Sequence, residues 1–225
     1  MAKRDPVQIK TPVCRIVWGS VSKLQTMKDS NGQPKLIKNG DRTGQVLQMV
    51  QFGVAVPKTK GHWAEEPGWG AAVWAEGHSS WPGGQAQRAD FAWKVVDGDS
   101  TVPNKAGKRP CDQTGYPGHW ILSFSGMTPP TLVQILTPGA KPTPVEQPET
   151  IYAGCFVEVA GSVSSNESTQ TAGMYLNHAA VCLRGFGERI AQGIDVDAVG
   201  FGADALPPGA SAMPVGTALP PPAPA

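Results

Sequence analysis

The acidic pair Asp97 and Asp99, in the segment VVDGDS, is the first candidate for chemistry in this chain of 225 residues. Carboxylates are the usual ligands of Mg²⁺, so the pair could support magnesium-dependent cleavage of a nucleic acid. Asp-Gly-Asp is also common turn chemistry, and no third acid stands nearby in a suggestive context. The chain has no nucleophile elbow, and its glycine-rich segments do not follow a strand and open a helix as a phosphate loop does. We therefore expect a protein that is not an enzyme, with no metal and no cofactor.

Aromatic rings at alternating positions are the second candidate. Residues 150–184 predict two alternating strands joined by a polar turn region. Alternation places Tyr152 and Phe156 on the face opposite to the small apolar side chains of the first strand. Those side chains, which form the natural core face, are Ala153, Cys155, Val157 and Val159. Rings on an open sheet face can stack on unpaired bases, whereas a second packed layer over that face is the structural alternative.

Positive charge is concentrated at the beginning of the chain. Residues 1–60 contain eleven Lys and Arg against three Asp, a net charge of +8. From residue 111 onward three bases stand against nine acids, a net charge of −6. Lysine and arginine replace the counterions condensed on phosphates, so a basic first third fits a polyanionic partner. An ordinary solvated basic surface is the alternative.

Bases in connecting segments and rings in or beside strands are the candidate contacts with nucleic acid. They are Arg15, Lys35, Lys38, Arg42, Lys58, Lys60, Lys105, Lys108, Arg109, Tyr116, Tyr152, Phe156, Tyr175 and Arg184. Trp120 and Phe124 share a face with Leu122, so we expect both of these rings in the core instead.

The elements that must position these residues are mostly strands. Strand-like runs cover residues 12–19, 46–56, 119–125, 131–136 and 151–159. In the first run Trp18 should share the face of Cys14 and Ile16, and the run 131–136 should pair with 119–125 across the GMTPP turn. Residues 28–44 predict a turn-rich basic connection. Pro67 at a first helical position predicts a short helix that ends near Gly77.

This pattern predicts a mostly β fold. An OB-like Greek-key barrel over residues 1–203, with a helix-containing insertion at about 58–115, fits it best. A β-sandwich fits almost as well. Residues 204–225 are rich in Pro and Ala and nearly free of charge, so we expect a disordered tail there.

Cysteine usage and hydropathy indicate the cellular compartment of the protein. Four cysteines without CxxC spacing indicate reduced thiols, and none of the histidines forms a ligand pair with them. No apolar run approaches the roughly 20 residues that span a bilayer, and MAKRDPVQIK lacks a secretory pattern. We therefore expect a cytoplasmic protein without a membrane partner.

Several segments, in matching order, resemble the bacteriophage single-stranded DNA-binding proteins with an OB fold. The matching segments are VVDGDS, YPGHWILSFSG, TPPTLVQI, IYAGCFVEVAGSV and GMYLNHAAVCLRGFGERIAQG. The positions that carry the resemblance are Asp97–Asp99, Tyr116–His119, Tyr152–Cys155, Gly173–Asn177 and Gly187–Gly193. The segment KLIKNGDRTGQVLQMVQFGVAVPK also resembles the basic loop and second strand of that family. The resemblance covers about residues 10–203.

The resemblance implies binding of single-stranded DNA without strong sequence preference, in phage DNA replication, recombination or repair. In a phage infection the location would be the host cytoplasm, and replication or recombination proteins would be partners. Many single-strand binding proteins recruit such partners through an acidic tail. The segment GASAMPVGTALPPPAPA contains no acid, so we do not expect recruitment of that kind.

Two further hypotheses about the function remain open from the sequence alone. A structural or decoration β-domain of a virion would also be rich in Gly and Pro with scattered Trp. A nuclease acting through Asp97 and Asp99 would require magnesium. Exposed strand edges leave oligomerisation open as well.

Overall fold

The computed structural model describes residues 5–38, 40–104, 106–166 and 171–190. Within these residues lie ten strands and one α-helix. The strands are β1 (Val7–Lys10), β2 (Cys14–Gly19), β3 (Gln25–Thr26), β4 (Gln48–Pro57), β5 (Val95–Asp97), β6 (His119–Gly126), β7 (Thr131–Gln134), β8 (Thr143–Pro144), β9 (Phe156–Ser165) and β10 (Met174–Gly185). The helix is α1 (Trp69–Ser80).

Five of the strands close into a barrel. β2 pairs antiparallel with β4 and β4 with β6, β6 pairs in parallel with β10, and β9 joins β10 to β2 by antiparallel pairing. Numbered along the chain, these five strands have the cyclic order 1-2-3-5-4-1. That order is the Greek-key arrangement of the OB fold, so the predicted OB-like barrel is confirmed.

The barrel interior is filled by the apolar positions that alternation predicts. Leu122 and Phe124 are buried, and the ring of Phe124 stacks on that of Phe52 with centroids 5.7 Å apart. Cys155 and Val157 are also fully buried, whereas Phe156 between them is 41 % exposed. The predicted faces are therefore confirmed for residues 155–159 and for β6. Tyr152 and Ala153 precede β9, and both pack against the core, so the prediction that they lie on opposite faces of a strand is wrong.

A β-bulge in β2 changes the side of the sheet to which Trp18 belongs. Ile16 pairs with Val54 and Trp18 pairs with the adjacent Gly53, so Val17 is an extra residue in β2. Side chains alternate between faces, so one extra residue directs Trp18 to the outside of the barrel while Ile16 remains in the core. The prediction that both residues share a face is wrong, because strict alternation ignores the bulge.

The partner of β7 also differs from the expectation. β7 pairs in parallel with β10, from Ala180 opposite Thr131 to Leu183 opposite Gln134. It does not pair with β6 across the GMTPP turn. One edge of β6 is hydrogen-bonded to β4, and the other is shared between β5 and β10, so no edge remains for β7.

The segment between β4 and β6 contains α1, β5 and three single 3-10 turns. Gly68 has a φ of +77°, in the left-handed region, and α1 begins only after it. Pro67 is therefore not the first helical residue, and the helix continues past Gly77 to Ser80. Trp69 and Val73 join the barrel core, so the helix packs on the end of the barrel near β1 and β9.

Some predictions fall on residues outside the described ranges. The proline-rich tail from residue 204 onward is one of them. All four cysteines are described and free, and burial is complete for Cys155 and almost complete for Cys14. Among the described residues no helix is long and apolar enough to cross a membrane.

Candidate nucleic-acid interface

The outward surface of β2, β4 and β6 is the first part of the candidate site, and we call it the outer face. The pairing register of the three strands arranges the side chains of this face in rows. Arg15 lies opposite Ala55, which lies opposite Ile121, and the next row places Trp18 opposite Gly53 and Gly53 opposite Ser123. In the OB fold, the surface of the second and third barrel strands binds oligonucleotides, together with the loops that join strands one to two and four to five.

The indole of Trp18 lies directly on Gly53. A Cβ atom added at Gly53 would overlap Nε1 of Trp18, so the ring occupies the volume that a side chain would take. The ring packs against a small outer cluster formed by Val17, Ala55 and Ile121, and it is half-buried. A flat, half-buried ring in the middle of this face is suited to stacking on an unpaired base.

The outer face continues onto β10 through its pairing with β6. Asn177 lies opposite Ser125, which lies opposite Gln51, so three polar side chains form one row. Tyr175, two residues before Asn177, is 43 % exposed. It is the second residue of β10, just after the loop between barrel strands four and five. The predicted contact Tyr175 therefore lies on the same surface as Trp18.

An arm, of which the structure describes residues 20–38 and 40–47, connects the end of β2 to the start of β4. It corresponds to the loop between the first and second barrel strands. Its backbone is ordered by its own hydrogen bonds, from Met27 N to Leu47 O, from Leu47 N to Lys35 O and from Lys35 N to Met27 O, at 2.7–2.9 Å. The first turn of the arm is held by Asp29, whose Oδ1 accepts from the backbone N–H groups of Asn31 and Gln33. The predicted turn-rich basic connection is therefore part of an ordered ribbon, with turns closed by Gly32 N to Asp29 O and by Thr43 N to Gly40 O.

The arm carries a cluster of exposed bases. They are Lys23, Lys28, Lys35, Lys38 and Arg42. The Nε of Arg42 donates to Gln45, a neutral partner, and within the described part of the chain Lys35 and Lys38 form no ion pair. Three of the predicted contacts, Lys35, Lys38 and Arg42, thus lie together with their charges available to phosphates.

Lys58 has a different environment from the one that the sequence suggests. Its ammonium group contacts the carboxylates of Asp97 and Asp99 and lies 4.4 Å from the ring centre of Trp120. Burial disfavours the charged ammonium, but hydrogen bonds and charge from the two aspartates outweigh it and raise the pKa of Lys58. The hydrogen bond from Lys58 also lowers the pKa of Asp99. The acidic pair and the lysine thus join the chain directly after β4 to the end of β5.

The remaining predicted bases are dispersed. Arg109 pairs with Asp112 at 2.6 Å, and Arg184 pairs with Glu158 at 2.9 Å. Lys60 and Lys108 are exposed in the segment between β4 and β6, away from the arm in sequence. Lys105 lies outside the described residues. The structure therefore brings together only part of the predicted basic set.

Residues 186–190, which we call the strap, cover the far end of the outer face. Ile190 packs on Val17, Ala55 and Ile121, with Tyr116 beside it. Tyr152 donates a hydrogen bond to Gly187 O at 2.9 Å, and Arg189 lies 4.1 Å from the centre of its ring. Both predicted rings, Tyr116 and Tyr152, thus already have protein partners. Arg15 and Phe156 are register partners at the margin of the strap.

Two solved structures of a bacteriophage protein have a fold similar to that of this chain. No protein-family model and no curated protein sequence matches the chain. The single-stranded DNA-binding protein from bacteriophage Enc34 in complex with ssDNA is similar, with a TM-score of 0.56 and 18 % identity over 84 % of this chain and 97 % of that one. The chain has the fold of that phage protein. A second structure of the Enc34 protein gives a TM-score of 0.55 and 18 % identity over 88 % of this chain and 96 % of that one.

Trp18 is the residue of the outer face that the sequence prediction missed. Its neighbours Cys14 and Ile16 are core residues, so alternation assigns it to the core. Gly53, in the middle of a strand of larger residues, is the signal that could have identified this position. A glycine inside a strand often marks a bulge or a site where another group approaches the backbone closely.

Proposed function

We propose that this protein binds single-stranded DNA without strong sequence preference. The OB barrel, the ring of Trp18 on its outer face and the basic arm beside that face support the proposal. Unpaired bases would stack on Trp18 and Tyr175, and the arm would contact phosphates through Lys35, Lys38 and Arg42. The observation that carries the proposal is that arm and rings belong to the surface through which OB folds bind oligonucleotides.

The biological setting that we propose is phage DNA replication, recombination or repair. Coating of exposed single strands would exclude nucleases and remove hairpins. Residues 1–203 would act as the DNA-binding domain and residues 204–225 as a tail. Replication or recombination proteins of the phage are the proposed protein partners, in the cytoplasm of the host.

The test is fluorescence anisotropy of a labelled oligo-dT and of a duplex of equal length, across a salt series. Oligo-dT should bind more tightly than duplex, and the logarithm of its binding constant should fall linearly with the logarithm of salt concentration. Each phosphate contact contributes roughly 0.7 to that slope for a single strand, so K35A/K38A should reduce the slope by about 1.4.

A matched control is R88A/K141A, which removes two positive charges outside the arm. This variant should retain the slope of the unmodified protein. Equal slopes for all three proteins would show that the arm does not contact DNA. Failure of oligo-dT to bind at low salt would disprove the proposed function itself.

A further inference from the structure

An open cavity lies at the end of the outer face, beside the strap. Its volume is about 230 Å³, and its lining includes Val13, Arg15, Ala55, His119 and Phe156. This volume is smaller than the several hundred Å³ of pockets that hold drug-sized molecules, and it suits a single planar ring system. Most of the lining is apolar, and its polar side chains are Arg15, His119 and the thiol of Cys14.

Phe156 forms the aromatic wall of the cavity. It is 41 % exposed although it lies in a strand whose neighbouring residues are fully buried. A side chain at Gly187 would come within 2.9 Å of its ring, so the strap holds the ring closely in one position. An exposed ring that is fixed by its neighbours loses little conformational entropy when a second ring stacks on it.

Arg15 supplies a positive charge next to this wall. Its guanidinium lies 5.8 Å from the centre of the Phe156 ring. Its Nε donates to Gly154 O at 3.2 Å and its Nη2 donates to Glu188 O at 2.7 Å. Both acceptors are neutral carbonyl groups, so these bonds orient the guanidinium without cancelling its charge. Three of its five N–H groups remain for an anion.

His119 supplies a polar edge. Its Nδ1 lies 2.7 Å from Pro117 O, and because a carbonyl can only accept, Nδ1 carries the proton. In the neutral ring Nε2 is then an acceptor. Every nucleobase has an N–H group on its pairing edge that such an acceptor can bind. The neighbouring thiol of Cys14 stays neutral at physiological pH, because burial raises its pKa to about 12.

We propose that this cavity holds one unpaired nucleobase of the bound strand, stacked on Phe156, with the adjoining phosphate at Arg15. The inference rests on the proposed function, because the base must belong to a strand that crosses the outer face. Phe156 and Arg15 are in the same cross-strand row as Ala55 and Ile121, one row from Trp18. A strand that stacks on Trp18 is therefore one row from the cavity, and it would pass beside Ile190 of the strap, which packs on Ala55 and Ile121.

The experiment uses the full chain and the shortest oligo-dT that binds with full affinity, so that the DNA cannot shift its register. One thymidine at a time is replaced by an abasic residue, and binding is measured by anisotropy. Several positions should be sensitive, because Trp18 and Tyr175 also stack on bases. The position in the cavity should weaken binding by about 5- to 150-fold, since stacking of one base contributes roughly 1–3 kcal/mol.

Two variants test the cavity itself. F156L removes the stacking wall but retains apolar volume, and V13W fills the cavity from its exposed rim. Each should bind the intact oligonucleotide about 5- to 150-fold more weakly and should show no further loss at one of the sensitive abasic positions, which identifies the base in the cavity. F186L is the matched control, because Phe186 is an exposed ring of the strap that does not line the cavity.

The outcomes separate the two proposals. If F156L and V13W bind like the unmodified protein while K35A/K38A still flattens the salt slope, the cavity proposal is wrong and the proposed function stands. If F186L weakens binding as much as F156L does, the weaker binding arises from a change in the strap rather than from loss of the cavity wall. The cavity proposal is again wrong in that case. If the unmodified protein does not bind oligo-dT, both proposals fail.

Discussion

Trp18 and Gly53 act as a pair, because the ring of one takes the space that the other leaves empty. The backbone of β4 supports one side of the indole, and solvent reaches the other. Ring stacking depends on a flat, rigid surface rather than on a pattern of donors and acceptors. A contact of this type tolerates every base, in agreement with the proposed lack of sequence preference.

W18A should weaken oligo-dT binding by roughly 1–3 kcal/mol, because one stacking surface is lost. W18F should lose less, since it retains a ring. W74A is the control, because Trp74 is an exposed ring of α1 that stacks on Trp93 rather than lying on the outer face. Anisotropy at one fixed salt concentration measures all three. Equal loss for W18A and W74A would argue against a specific role of the outer face.

At the scale of single residues, alternation in the sequence predicted which side chains of β9 and β6 lie in the barrel core. It could do so because those strands are regular over the predicted core positions. It failed at Trp18, since a bulge depends on the partner strand and leaves no mark in the composition of β2. It also could not anticipate that Lys58 contacts Asp97 and Asp99, because the three residues meet only after the insertion has folded back.

The attachment of the insertion to the barrel depends on Glu66, which is buried just before α1. Its carboxylate accepts hydrogen bonds from Thr59 N at 2.7 Å, Thr59 Oγ1 at 2.6 Å, Lys60 N at 3.0 Å and Trp120 Nε1 at 3.0 Å. Burial alone would raise its pKa, but these hydrogen bonds outweigh burial and lower the pKa of Glu66. The chain between β4 and α1 is therefore joined to β6 by one charged group.

E66Q should destabilise the fold by about 1–3 kcal/mol at neutral pH, because an amide cannot accept from all four donors. The pKa of Glu66 is lower in the folded state than in the unfolded state. Its contribution is therefore complete above the unfolded value of about 4.3 and is lost as pH falls through the folded value. Urea unfolding at pH 7 and pH 3 measures the free energy of unfolding of E66Q and of the unmodified protein. A gap between E66Q and the unmodified protein that does not shrink at pH 3 would contradict the assignment.

The arm offers a second prediction for a single element. Its bases are trypsin sites on an exposed ribbon, so limited proteolysis should cut first at residues such as Lys28 and Lys35. Saturating oligo-dT should slow these cuts, while the cut at Arg88, which is exposed between α1 and β5, should continue unchanged. Mass spectrometry of the fragments distinguishes the sites. Cutting of the arm at the same rate with and without DNA would exclude the arm from the interface.

The pairing of elements was less accessible from the sequence than their existence. The run TLVQIL forms β7 as predicted, but its partner is β10, about fifty residues later. Local turn chemistry suggested the neighbour in sequence. The actual choice follows from which edges of β6 are already occupied, and that is a property of the whole sheet.

For the whole molecule, binding of a ligand to the folded state alone must raise its stability. At a free oligo-dT concentration of 100 times the dissociation constant, the gain is about 2.7 kcal/mol. For a chain of this size that corresponds to an increase in Tm of roughly 5–10 °C. Differential scanning fluorimetry measures the change, and a duplex of equal length at the same concentration is the control. An equal shift with both ligands would indicate that only the charge of DNA is bound.

The closure of the barrel has a consequence for the order of events during protein synthesis. β2 is hydrogen-bonded to β9, so Cys14 cannot pair until Val157 has been synthesised. In the same way, part of one edge of β6 cannot pair until β10 has been synthesised. Contacts this distant in the chain are slow to form, because a long loop must be ordered first. Until the ribosome has passed residue 185, β2 and β6 expose unpaired edges that invite aggregation. A nascent chain should therefore depend on chaperones until its last barrel strand emerges.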